Sequence, residues 1–172
     1  MAEQMTPLKD DAASGTKPAP PCTLVIFGAG GDLTKRLLMP SLYNLAGAGL
    51  LPEGFSILGV DHSDGTDESL RDSLTKTMEA FSKDPTSEFH ADHIDPKSWG
   101  FIRDRLHYLK GDFEKPETFA AVKDKVRGSA VFYCAVAARF FGTIVDGLGQ
   151  AGLLRQENGG FRRVVIEKPF GS

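Results

Sequence analysis

The sequence predicts an α/β chain, a single domain built on a doubly wound parallel sheet. Two observations carry that prediction. Five short apolar runs alternate with helical stripes along the chain, and the clearest runs are continuously apolar, with no polar face. A strand without a polar face is buried on both sides, as strands are in a parallel sheet covered by helices. Strand–helix–strand succession implies right-handed crossovers, and 3-2-1-4-5 is the natural order for five such strands.

Residues 1–21 are rich in Ala, Pro, Lys, Asp and Ser and end in Lys17-Pro18-Ala19-Pro20-Pro21. They are expected to form a disordered tail, because they bury too little apolar surface to offset the entropy of ordering. The domain is expected over 22–172. Leu24 to Phe27 is the first strand. Asp32 to Ala48 reads as helical, with Leu38, Leu42 and Leu45 along one face and Pro40 interrupting it. A proline inside a helix removes a hydrogen bond, so a short first turn followed by a second piece or a kink is expected. Gly49 and Pro52 close the element.

Phe55 to Val60 is the second strand. Thr66 can cap a helix reaching about Phe81, with Asp67 and Glu68 in its first turn and Leu70, Leu74, Met78 and Phe81 as its stripe. A polar, irregular stretch follows, then a short helix over Pro96 to Arg105 and a third strand over Leu106 to Lys110. Pro116 suits the first turn of the next helix, whose core face is Phe119, Val122 and Val126, and Gly128 can stop it. Ala130 to Val136 is the fourth strand. Phe141, Ile144, Val145 and Leu148 mark the helix after it, Gly152 its end, and Arg162 to Ile166 the fifth strand.

Composition narrows the function. The chain has 172 residues, 41% of them hydrophobic, and a formal net charge of −3. A length of this order fits one domain with a real core. No basic surface argues for nucleic acid. No apolar run approaches the roughly 20 residues of a membrane span, and the N-terminus lacks a secretory stretch. Cys22 and Cys134 have neither metal nor redox spacing, which fits reduced thiols and a cytoplasmic location. His90 and His93 lie in a polar stretch and read as a solvated loop, so no metal site is expected.

The chemistry-bearing segments all follow strands: Gly28 to Leu33, Asp61 to Ser63, Gly111 to Phe113, Ala135 to Arg139, and Glu167 to Gly171. They should converge on the carboxyl edge of the sheet, where such folds bind ligands. In the first, Gly28 can make the turn, and Gly30 and Gly31 remove side chains that would block a phosphate. The following helix presents its N-terminus. This is a Rossmann-like dinucleotide loop. Leu33 stands where the common G-x-G-x-x-G fingerprint has its third glycine, and P-loop spacing is absent. Asp32 either caps the helix or faces the ligand. Lys35 and Arg36, one turn in, face the phosphates or solvent.

These residues resemble a specific family. Gly28-Ala29-Gly30-Gly31-Asp32-Leu33-Thr34-Lys35 is similar to the G-A-S-G-D-L-A-K loop of glucose-6-phosphate dehydrogenase. Gly49-Leu50-Leu51-Pro52 resembles its D-G-L-L-P, and Glu167-Lys168-Pro169-Phe170-Gly171 its E-K-P-F-G. The resemblance implies hydride transfer from C1 of glucose 6-phosphate to NADP or NAD, giving 6-phosphogluconolactone in the pentose phosphate pathway. It implies that Gly28 to Lys35 hold the pyrophosphate. Asp112 and Phe113 then meet the adenine side, and Ala135 to Ala138 lie beside the cofactor. The family usually has Pro-Pro in that last stretch, where this chain reads Ala135-Val136-Ala137-Ala138.

The resemblance also implies that Lys168 bridges cofactor and substrate, that Glu167 orients the loop, and that the Lys168–Pro169 bond is cis, which a tertiary amide permits. The family's general base is a histidine of a second domain. None of His62, His90, His93 and His107 sits in such a motif, so no catalytic residue is assigned and these residues alone are expected to lack turnover. The alternatives are the cofactor domain of another sugar or inositol dehydrogenase, and a non-catalytic dinucleotide-binding module.

The second strand ends Gly59-Val60-Asp61-His62-Ser63. NADP-using members of the family carry Arg where His62 falls, to hold the 2′-phosphate. A carboxylate there accepts instead from the free 2′-hydroxyl of NAD. Asp61 repels a phosphate if it points into the site, and a neutral imidazole at His62 attracts none. Dual use or a shift toward NAD follows, unless Asp61 only caps the turn.

Overall fold

The computed structural model describes residues 21–84, 94–156 and 160–167. The expected tail therefore lies, but for Pro21, outside the described residues, as do His90, His93, Lys168 and Pro169. The strands are β1 (Thr23–Phe27), β2 (Ser56–Asp61), β3 (Leu106–Lys110), β4 (Ala130–Cys134) and β5 (Arg162–Ile166). They lie in the order β3-β2-β1-β4-β5, with every neighbouring pair parallel, as expected.

The central strands β1, β2 and β4 are buried on both faces because two separate cores sandwich the sheet. On β1, Leu24 and Ile26 join one layer, with Met39, Leu42, Leu74, Met78, Trp99 and Ile102. Val25 and Phe27 point the other way, to Phe119, Val122, Phe132, Ile144 and Leu148. This period-2 split is what a continuous apolar run means in a doubly covered sheet. Each large side chain buried this way stabilises the fold by about 1.5–3 kcal/mol relative to exposure.

The helices follow the pattern with local corrections. The first is interrupted one step in: after Asp32 and Leu33 in helical conformation, a π turn over Thr34–Leu38 runs into α1 (Met39–Gly47). Pro40 cannot donate to the carbonyl four residues back, and the wider turn absorbs the defect. Leu45 is 36% exposed, so the predicted stripe holds only for Leu38 and Leu42. Helix α2 spans Asp67–Lys83. Its Thr66 cap is reciprocal: the Ser69 N–H donates to Thr66 Oγ1 at 3.0 Å and the Thr66 N–H to Ser69 Oγ at 2.8 Å. Helix α3 (Pro96–Asp104) is capped by Asp95, which accepts the Ser98 N–H at 3.1 Å. Helix α4 is Pro116–Lys125. A 3₁₀ turn over Ala138–Phe140 leads into α5 (Phe141–Gln150).

β4 stops at Cys134, two residues before the predicted end. The Ala135 N–H still donates to the Phe27 carbonyl at 2.8 Å, and the chain then turns over the sheet edge. Among the described residues, no helix is long and apolar enough to cross a membrane.

Candidate functional site

At the carboxyl ends of the strands lies an open cleft of about 1420 Å³. Its position follows from topology. The chain leaves β1 through α1, which covers one core layer, and leaves β4 through α5, which covers the other. The two loops diverge, and the gap between them is the switch point where open α/β sheets bind ligands.

The glycine loop forms one wall and is fixed by backbone contacts. The Gly28 and Ala29 N–H groups donate to the Val60 carbonyl at 2.9 and 3.3 Å, and the Gly31 N–H to the Gly28 carbonyl at 3.1 Å. Gly28 has φ +99°, and a Cβ there would lie 2.4 Å from the Ala135 carbonyl oxygen. The buried Thr34 hydroxyl donates to the Gly28 carbonyl at 2.9 Å. Among the described residues, the N–H groups of Asp32, Leu33 and Thr34 find no acceptor in the chain. They are the free donors of a helix start.

The end of β2 forms the next wall. Asp61 turns inward: its side chain is 15% exposed, whereas His62 is 79% exposed. One Asp61 oxygen accepts the Gly30 N–H at 2.8 Å. The other accepts the His62 N–H at 2.9 Å and lies 3.0 Å from His62 Nδ1. Asp61 thus takes part in its own turn, as the modest reading had it, and also faces the glycine loop.

The loops after β3 and β4 close the remaining sides. Asp112 accepts the Glu114 N–H at 2.8 Å, fixing the turn that presents Phe113. The Phe113 ring stands edge-on to Phe27 at 5.8 Å and to Phe140 at 6.1 Å. Arg139 lies over the Phe140 ring, 4.8 Å from its centroid. Beneath the edge, burial pushes the Cys134 thiol up to about 11, so it is no nucleophile. Burial, reinforced by the Glu167 charge, pushes the Tyr133 phenol up to about 12.

Of the residues singled out in the sequence, Gly28, Gly30, Gly31, Asp32, Leu33, Asp61, His62, Asp112, Phe113 and Ala135 line the cleft. Ala29 does not. Its methyl packs into the core against Gly59, where an added Cβ would meet it at 2.7 Å. Nor does Lys35: on the π turn the wall is given to Arg36 and Leu37 instead. Among the described residues Asp32 makes no capping hydrogen bond, and it lines the cleft, so of its two readings it is the cap that is absent. Lys168 lies outside the described residues. Glu114, Phe140, Phe81 and Asp84 also line the cleft and were not anticipated. The sequence marks Phe81 only as part of a helix stripe, and nothing local marks the others.

Comparison with known proteins supports this geometry. Residues 25–172 match the family described as "Glucose-6-phosphate dehydrogenase, NAD binding domain". A glucose-6-phosphate 1-dehydrogenase of Treponema pallidum is 38% identical over 167 residues, covering 92% of this chain and 31% of the relative. One from Chlamydia muridarum is 32% identical over 169 residues, covering 91% and 32%. The crystal structure of the Mycobacterium avium enzyme superposes with a TM-score of 0.73 at 29% identity, covering 88% of this chain and 31% of that one. The chain thus spans about a third of the length of the relatives it matches.

Proposed function

We propose, since the chain belongs to the glucose-6-phosphate dehydrogenase family through its NAD-binding domain, that the cleft holds a nicotinamide dinucleotide for the oxidation of glucose 6-phosphate at C1. The loop supports this reading most directly. Gly30 and Gly31 leave the backbone bare, and the N–H groups of Asp32 and Leu33, which line the cleft, are free to meet a pyrophosphate. When bound, the cofactor supplies the hydride acceptor. The chain's own residues hold and orient it, with Phe113 toward the adenine side and Asp61 toward the adenine ribose. Lys168, from its place in the family motif, is the residue for the sugar hydroxyl.

Asp61 carries the choice of cofactor. It is largely shielded and lines the cleft, and in this reading it meets the 2′ position of the adenine ribose. Like charges 4 Å apart repel by about 4 kcal/mol at the effective dielectric near a protein surface. The free 2′-hydroxyl of NAD can donate to the carboxylate instead. The reading is therefore dual use with a lean toward NAD. Among the described residues both histidines lie beside aspartates, His62 with Asp61 and His107 with Asp67. Neither is assigned as the base for the C1 hydroxyl, and a polypeptide of these 172 residues alone is expected to bind cofactor without turnover. Its two cysteines are free thiols, in keeping with a reducing, cytoplasmic setting.

Calorimetric titration with NAD and NADP tests the reading. NAD should bind at least as tightly as NADP. NADP binding at least tenfold tighter would overturn the NAD lean, and binding of neither would overturn the dinucleotide site.

A further inference from the structure

We infer that Arg36 and Arg139 form a two-sided clamp on the ligand's diphosphate, one guanidinium from each face of the sheet; this rests on the dinucleotide reading above. Arg36 sits on the π turn that opens α1, the helix covering the Leu24 and Ile26 layer. Arg139 sits on the 3₁₀ turn that opens α5, the helix covering the Val25 and Phe27 layer. Both line the same cleft. The switch point therefore receives one cation from each side.

Among the described residues, neither guanidinium is committed elsewhere. Arg71, Arg103, Arg105 and Arg162 each donate to a carbonyl or a carboxylate. Arg36 and Arg139 have no ion pair or hydrogen bond among the described residues. Yet five carboxylates share the cleft wall with them: Asp32, Asp61, Asp84, Asp112 and Glu114.

Both positions are also constrained. Arg139 rests on Phe140, Phe140 on Phe113, and Phe113 on the buried Phe27. That stack limits the rotamers Arg139 must give up on binding. Arg36 is placed by Pro40, whose missing N–H leaves the Arg36 carbonyl without its usual helical donor and widens the turn. In the widened turn Arg36 and Leu37 face the cleft and Lys35 does not. A planar guanidinium matches the oxygens of a phosphoryl group bidentately, so two of them suit a diphosphate better than a monophosphate.

The test titrates the 172-residue chain and its Arg36→Gln, Arg139→Gln and double variants with ADP-ribose, adenosine and glucose 6-phosphate. ADP-ribose carries the diphosphate and adenosine lacks it. Each single variant should weaken ADP-ribose about tenfold, the double variant about a hundredfold, and adenosine binding should not change. Arg139→Lys should recover part of the loss, and the salt dependence of ADP-ribose binding should be shallower in each glutamine variant. ADP-ribose affinity within twofold of the parent in either single variant overturns the clamp. So does an equal loss for adenosine, or an Arg139→Gln effect on glucose 6-phosphate alone, which would assign that residue to a sugar phosphate. A parent chain that binds neither NAD nor ADP-ribose removes the underlying dinucleotide reading and the clamp with it. A parent that binds both while the variants bind equally well removes only the clamp.

Discussion

The carboxylate of Asp61 accepts the Gly30 N–H at 2.8 Å, tying the end of β2 to the glycine loop 31 residues earlier in the chain. The contact tethers the loop, and under the proposed function the same carboxylate sets a charge against the 2′ position; two substitutions separate the effects. Asp61→Asn keeps an oxygen that can accept the Gly30 N–H and removes the charge. NADP affinity should rise about tenfold, with NAD affinity falling a few-fold as a charge-assisted hydrogen bond becomes neutral. Asp61→Ala removes charge and tether together, so both cofactors should bind more weakly than to the asparagine variant. Titration with each dinucleotide checks this. An unchanged NADP-to-NAD ratio in Asp61→Asn would mean that Asp61 does not read the ribose.

Gly28 is required by its own geometry. At φ +99° a side chain is strained, and a Cβ would lie 2.4 Å from the Ala135 carbonyl oxygen and 2.7 Å from Val136 Cγ1. Both obstacles belong to the loop after β4, which the Ala135 N–H anchors to Phe27. Gly28→Ala should therefore push the β1 and β4 loops apart, at a cost of at least about 2 kcal/mol from backbone strain and overpacking. Urea unfolding measures the loss. A change below about 0.5 kcal/mol would show that the β4 loop yields freely.

Thr34 holds the same turn from below. Its side chain is fully buried, and its hydroxyl donates to the Gly28 carbonyl at 2.9 Å. Thr34→Val keeps the shape and leaves that carbonyl with the Gly31 N–H alone, which should cost about 0.5–1.5 kcal/mol for the lost hydrogen bond. Dinucleotide affinity should fall as the loop loosens. A valine variant as stable as the parent would mean that water reaches Gly28.

How much of this was legible in the sequence follows the range of the forces involved. The central strands were legible because burial on both faces demands unbroken apolar runs, as at Leu24 to Phe27. β3 and β5 matched residue for residue, Leu106–Lys110 and Arg162–Ile166. The switch-point cleft followed from strand order alone. Pro40 announced a fault in the first helix, but whether it would become a kink or a π turn depends on how α1 packs. Ala29 reads like any loop alanine until Gly59 is seen across from it on β2. Thr66 announced a cap, but its reciprocal partner is Ser69, not the usual acid or amide. Phe140 and Glu114 reach the cleft only through tertiary placement, and no short-range pattern encodes that.

Acid should weaken the fold through a group far from the cleft. Asp67 opens α2, and its carboxylate reaches β3, the edge strand. One oxygen accepts the Tyr108 N–H at 2.7 Å and the other lies 3.2 Å from His107 Nδ1. Burial pushes its pKa up, but the Tyr108 N–H, the His107 ring and the Arg71 charge together pull it lower, to a net position below the ordinary carboxylate value. A carboxyl whose folded pKa lies below its unfolded one, about 3.9, adds stability above that unfolded value. The contribution disappears as pH falls through the lowered folded pKa. The parent and Asp67→Asn should thus differ most near pH 6, and the gap should narrow steadily from about pH 4 to pH 2 as the parent carboxyl takes up its proton. Urea unfolding of both chains at pH 6, 4 and 3 measures the gap. Curves that stay parallel across that range would show that Asp67 has the same pKa folded and unfolded, and that its hold on the β3 edge does not depend on charge.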